Sequence, residues 1–207
     1  MKSFIIILGI SSVMFLISCS SSETTTEESN AQDANKEAQE TAADKEQLRA
    51  HADLIVDALD NKDFEQLSTF VHPEKGIRFT PYAFIEEEEQ PIFEAEQVRG
   101  FPNDSEVYEW GTEDGTGDAI RLTPNAYYHD YLYIRDFTES TEILVNDIDP
   151  RGNMRMNVGE VYPEARFVSY YVPGTDEEMD WANLILAFEE VNDDWYLVGI
   201  IVDRWTT

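Results

Sequence analysis

Lys75, Arg78 and Tyr82 lie close together in a chain that carries 43 Asp plus Glu against 14 Lys plus Arg. Two cations beside a phenol, in so acidic a setting, suit an anionic ligand. The competing arrangement, and the commoner one, pairs Arg78 with one of the many nearby carboxylates. His72 precedes Pro73 at an expected helix end, where an imidazole more often caps or packs than acts as a base. His129, inside Tyr127-Tyr128-His129-Asp130-Tyr131, reads as a residue of an exposed helix face, and His51 reads the same way. Three histidines without ligand spacing argue against a zinc site. Glu113-Asp114-Gly115-Thr116-Gly117-Asp118 has the flavour of a calcium loop but lacks the full spacing and the terminal glutamate. No serine sits in a nucleophile elbow, and no glycine-rich phosphate loop is present. Trp110, Trp195 and Trp205 read as core or sheet-edge packing, while Trp181 has the character of a pocket wall. The residues thus offer no catalytic set, no metal site and no cofactor site. They offer a candidate ligand-binding set: His72, Lys75, Arg78, Tyr82 and Trp181.

Cys19 is the single cysteine, so no intramolecular disulfide can form. Its position is informative. Lys2 supplies a short positive start, and residues 4–17 carry no charge before Leu16-Ile17-Ser18-Cys19. These four residues resemble a lipobox, the signal read by bacterial lipoprotein signal peptidase, with an aliphatic residue three before the cysteine and a small one directly before it. The resemblance implies cleavage after residue 18, diacylglycerol on the Cys19 thiol and acylation of the freed amine. Two or three acyl chains anchor stably where one is marginal. The apolar run is shorter than the ~20 residues that span a bilayer. An ordinary signal peptide would not place the sole cysteine at the cut. The expected location is the extracytoplasmic side of the cell membrane, held by lipid on Cys19.

The elements that would position the candidate residues follow from periodicity. Beyond Cys19, residues 20–45 are Ser, Thr, Glu, Asp, Gln, Asn, Lys and Ala with no large apolar residue, and 19–45 read as a disordered acidic tether with a flexible span of about 30 Å. A single domain is expected over 46–207. Leu48, Ala52, Ile55 and Leu59 mark a helix over 46–59. Asp63 reads as the N-cap of a second helix ending at His72-Pro73. A turn at Glu74-Lys75-Gly76 leads to a short strand over 77–80. Residues 86–89 form an acidic loop, 94–99 a third helix, 106–110 a strand, and 111–117 a loop. Thr123-Pro124 opens a helix to about Tyr133. Strands follow at 142–146, 165–172, 181–190 and 195–203, the last two joined as a hairpin through Asn192-Asp193-Asp194. In that hairpin Ala182, Leu184, Leu186 and Phe188 share one face, with Asn183 and Glu189 on the other. Helices first and a strand meander last give an α+β pattern with helices on one face of an antiparallel sheet.

The formal charge of −29 repels phosphate backbones, so nucleic acid is a poor partner. The charge reads first as a solvated coat and second as a surface for cations or a basic partner.

Two segments carry a wider resemblance. One is Val71-His72-Pro73-Glu74-Lys75-Gly76-Ile77-Arg78-Phe79-Thr80-Pro81-Tyr82. The other is Met179-Asp180-Trp181-Ala182-Asn183-Leu184, continued by Trp195-Tyr196-Leu197-Val198-Gly199-Ile200-Ile201 and Trp205-Thr206. Together they resemble lipoproteins of Gram-positive bacteria with a domain of the nuclear-transport-factor-like, cystatin-like superfamily. The resemblance implies N-terminal helices packed in a curved antiparallel sheet, a cone with a pocket at its open end. Its members include dehydratases, isomerases, ligand binders and interaction domains, so the fold leaves activity open. Val202 stands where the resemblance implies a histidine, which weakens any case for chemistry on the last strand. The leading expectation is a non-catalytic domain binding an unknown small molecule or envelope protein. The alternatives are a small-molecule enzyme using Asp, His and Tyr in the cone, and an envelope component that acts as a homodimer through an exposed sheet face.

Overall fold

Alanine, glutamate, glutamine and lysine are good helix formers, and residues 25–60 contain neither glycine nor proline. The computed structural model describes residues 25–206 except 149, 153–154 and 176–178, with backbone only for 25–41. The proposed signal peptide and Cys19 lie outside the described residues. Helix α1 spans Thr25–Asp60. The helix expected from residue 46 therefore begins earlier, inside the stretch read as tether. From Leu48 onward the helix buries the expected stripe, Leu48, Ala52, Ile55 and Leu59.

The chain from Ala42 to Thr207 forms one unit. Helix α2 spans Phe64–Thr69, and the Asp63 carboxylate caps it by accepting from the Gln66 N–H at 2.9 Å. The chain then falls into line beside the last strand: Leu197 N–H donates to Phe70 O at 2.7 Å and His72 N–H to Leu197 O at 3.0 Å. After a turn it resumes as β1 (Ile77–Thr80). Strand β2 (Ile92–Phe93), helix α3 (Ala95–Gly100), strands β3 (Tyr108–Thr112) and β4 (Ala119–Leu122), and helix α4 (Pro124–Tyr127) follow. Then come β5 (Glu142–Val145), α5 (Val158–Val161), β6 (Arg166–Val172), β7 (Ala182–Val191) and β8 (Asp194–Arg204). Asn192 and Asp193 both adopt positive φ, 54° and 67°, as the tight β7–β8 turn requires.

The fold is α+β, with a six-stranded sheet in the order β2-β1-β8-β7-β6-β5. It is mixed, not antiparallel: β1 runs parallel to β8, with Arg78 opposite Gly199 and Thr80 opposite Ile201. These two strands sit at opposite ends of the domain sequence, so no turn dictates their relative direction. Strands β3 and β4 form a separate hairpin, and β4 occupies a stretch that was not expected to be a strand. The acidic run from Glu113 to Asp118 is the loop of this hairpin, closed by Glu113 N–H to Asp118 O at 2.8 Å. The helix begun at Thr123-Pro124 widens after one turn into a π-helical turn, Tyr128–Leu132.

The sheet is covered on both faces, not by helices on one face only. On the inner face Ala182, Leu184, Leu186 and Phe188 join α1, α2 and an aromatic group built on Phe79, Phe93, Phe101, Trp110 and Tyr127. On the outer face Ile185, Ala187 and Ile201 lie beneath Ile85, Val158 and Tyr162. Leu184 through Ala187 are all fully buried, the continuous apolar run typical of a strand covered on both sides. One side chain pins the outer cover. The Asn157 amide accepts from Ile85 N–H at 2.7 Å and donates to Ile85 O at 3.0 Å. The apolar part of this sheet face is thus covered by the chain's own residues.

Candidate functional site

Alternation along β1 sends Ile77 and Phe79 into the inner core and Arg78 to the outer face. Arg78 is only 8% exposed. Its guanidinium donates to the Tyr162 hydroxyl and to Glu87 O, both at a long 3.4 Å, and its Nε is buried with no partner. Among the described residues no carboxylate forms an ion pair with it. The arrangement expected as commoner, Arg78 neutralised by an acid, does not occur here. Burying an unneutralised charge is costly, which makes the position notable in a chain so rich in carboxylates.

Arg78 and Tyr162 line a cavity of about 340 Å³ whose apolar walls are Ile92, Val161 and Val198. Gly199, opposite Arg78, makes room for the tyrosine: a Cβ there would sit 3.1 Å from the Tyr162 ring. Burial raises the Tyr162 pKa, against the pull of Arg78, so the phenol stays a hydrogen-bond donor. Lys75 reaches the same cavity from the turn before β1 and pairs with Glu189 on β7.

That turn is held by His72. Its Nδ1 accepts from the backbone N–H of Glu74 at 3.1 Å and Lys75 at 3.0 Å, so the imidazole is a capping group. Gly76 closes the turn at φ 67°, and a Cβ at this position would lie 2.6 Å from Phe93 O. Gly76→Ala should therefore destabilise the domain by about 1–3 kcal/mol, read by urea denaturation. A loss of only a few tenths would show that the turn is not strained.

The remaining candidates separate. His72 and Lys75 line a separate groove of about 470 Å³ against the start of α3. Tyr82 sits elsewhere: its hydroxyl donates to Glu113 at 2.9 Å, and Tyr131 donates to the other oxygen of that carboxylate. Burial, then the Glu113 hydrogen bond and charge, push Tyr82 up to about 12. The Arg204 guanidinium lies over both rings, 5.8 and 5.2 Å from their centroids. Glu113 thus accepts from two phenols, one on each oxygen. Trp181 packs at a tilt against Tyr171, 6.3 Å between centroids. His51 stands edge-on to Phe70 at 4.9 Å, and burial lowers its pKa against the charge of Asp194. Lys62 contacts the exposed His129 ring at 3.1 Å.

Tyr162, Gly199 and Asn157 were not singled out by residue type. Their roles follow from register and from the path of the outer cover. Among the described residues no three His, Cys, Asp or Glu side chains are placed to hold a metal ion, and no helix is long and apolar enough to cross a membrane.

No known family's sequence profile matches the chain, and no curated protein does either. Among solved structures, a DUF4783 family protein from Bacteroides ovatus is similar at 10% identity and a TM-score of 0.30, covering 74% of this chain and 94% of its own. A protein of the NTF2-like family from Streptomyces avermitilis, to which dehydratase activity is ascribed, is similar at 14% identity and a TM-score of 0.32. That match covers 80% of this chain and 99% of the other. At such identities and scores neither chemistry nor partner passes from these proteins to this one, and the α+β architecture rests on the strands and helices themselves.

Proposed function

We propose that the chain is a lipid-anchored extracytoplasmic binding domain, of the kind resembled by Gram-positive lipoproteins with a nuclear-transport-factor-like fold, and that it takes a small anionic ligand at Arg78. The observation that carries the binding reading is a buried guanidinium without a carboxylate partner, facing a cavity of about 340 Å³. Lys75, paired with Glu189, stands at the rim beside Glu87, and Tyr162 adds a hydroxyl. An incoming carboxylate or phosphate would meet charge-assisted donors already held in place. An acid–base enzyme is the weaker reading. Glu113 does lie among tyrosines at a cleft, but each of its oxygens is taken by a phenol hydroxyl, which makes it a poor base.

Titration of the purified chain with citrate, acetate and inorganic phosphate tests the binding. At least one anion should bind saturably beyond the effect of sodium chloride at equal ionic strength. Arg78→Met should weaken that binding about tenfold or more while leaving the unliganded domain no less stable, since it removes a buried unneutralised charge. Equal affinity in the variant, or no anion effect at all, rejects the site.

The anchor rests on Leu16-Ile17-Ser18-Cys19. Cells fed labelled palmitate should label the wild-type chain and not Cys19→Ala. An unlabelled wild type, or equal label in both, rejects the anchor.

A further inference from the structure

The outer face of the sheet changes character along its strands. Near Ala187 it is apolar and covered; toward the start of β7 and the end of β8 it carries Asn183 and Asp203, directly paired across the two strands. Ser169 lies on the same face of β6. All three are buried, Asn183 and Asp203 to 1% exposure and Ser169 to 2%. Asn183 and Ser169 form the floor of a cavity of about 300 Å³ with Glu142, Asp147 and Arg151 at its rim.

Among the described residues these acceptors are short of donors. Asn183 Oδ1 has no hydrogen-bond partner among them. Beside it, Asp203 accepts one long bond among them, 3.3 Å, from the backbone N–H of Arg151. The Arg151 guanidinium turns elsewhere: it pairs with Glu142 at 2.8 Å and lies over the Tyr171 ring, 4.1 Å from the centroid. Asp203 is therefore not in an ion pair with the nearest cation. A buried amide oxygen without a donor and a buried carboxylate with one long bond are costly unless something supplies N–H groups and positive charge. A primary ammonium does both, with three rotatable donors on a compact charge. A metal ion fits less well, since no three carboxylates or histidines converge here among the described residues.

We infer that this cavity is a second binding site, for the ammonium group of a small organic cation such as an alkyl amine or diamine, seated against Asn183 with the Asp203 carboxylate beside it on the neighbouring strand. The site is independent of Arg78. Its size suits a ligand of a few heavy atoms. Burial raises Asp203 to about 6, against the Arg151 N–H and charge. The other charged groups facing the cavity are Glu142 and Asp147. A bound ammonium favours the ionised carboxylate, so binding strengthens as pH rises through about 6 and releases a proton below it.

Calorimetric titration of the full-length chain with n-butylamine and 1,4-diaminobutane provides the test, with tetramethylammonium and sodium chloride as cations that lack N–H donors. The primary amines should bind saturably, more tightly near pH 8 than near pH 5. Asp203→Asn should weaken binding about tenfold or more, as should Asn183→Leu, whereas Arg78→Met should leave it unchanged. Asp203→Asn removes a buried charge without changing shape, so loss of binding in that variant is not loss of fold. Amines that act no differently from tetramethylammonium, or wild-type affinity in Asp203→Asn, overturn the proposal.

Discussion

Replacing Asp203 with asparagine should stabilise the unliganded domain by about 3 kcal/mol near pH 8, and by about half as much near pH 5. The carboxyl is almost wholly buried, and burial lifts its pKa from 3.8 to about 6. The folded state therefore holds this proton more tightly than the unfolded chain does. Below the unfolded value both states are protonated and the residue costs nothing. As pH rises from about 4 to about 6 the unfolded chain ionises first, so the fold loses stability across that window and recovers none above it. Asparagine keeps an acceptor for the Arg151 N–H and brings an amide donor to the position paired with Asn183 across the strands. Urea denaturation of both proteins at the two pH values measures the gap. A gap that does not change with pH, or a less stable variant, would show that the ionised carboxylate is not the cause. A residue that costs the fold this much at neutral pH is a candidate for a role in binding.

Trp110→Ala should remove about 3–5 kcal/mol, read as a lower urea midpoint at unchanged slope. Trp110 is fully buried. It stacks on Tyr127 with 3.9 Å between centroids and an 11° tilt, and on Phe93 at 5.2 Å. Phe79 and Phe101 meet it edge-on. Its indole N–H donates to Leu122 O at 2.9 Å, so truncation leaves a void and an unpaired carbonyl together. Trp110→Phe should cost less but still lose that hydrogen bond. A loss below about 1 kcal/mol for the alanine variant would mean that the aromatic group is not tightly packed. Its packing has a functional side as well. The interior where the resemblance implies a pocket is filled at this point by rings, and the cavities beside Arg78 and Asn183 lie on the opposite face of the sheet.

How much of this was legible in the chain divides along local and non-local lines. The Asp63 cap, the Thr123-Pro124 helix start and the Asn192-Asp193 hairpin each depend on a few adjacent residues, and the structure places them as read. Strands β6, β7 and β8 were visible from their apolar runs. The parallel alignment of β1 with β8 was not, because nothing near either strand encodes it. Strand β4 escaped notice because it is short and follows a glycine-rich acidic loop. For the sites, Lys75 and Arg78 stood out by charge alone. Asn183 was placed on the face opposite Leu184, but its pairing with Asp203 depends on register. Tyr162 gains its meaning from a missing side chain, at Gly199, in a strand far along the sequence.

The clasp between Asn157 and Ile85 bears on both cavities at once. The chain segment that includes Asn157 also supplies Arg151 to one cavity and Tyr162 to the other. One side-chain amide thus anchors the stretch of chain from which both cavities draw a residue. Asn157→Ala would release that stretch without touching a residue that lines either cavity.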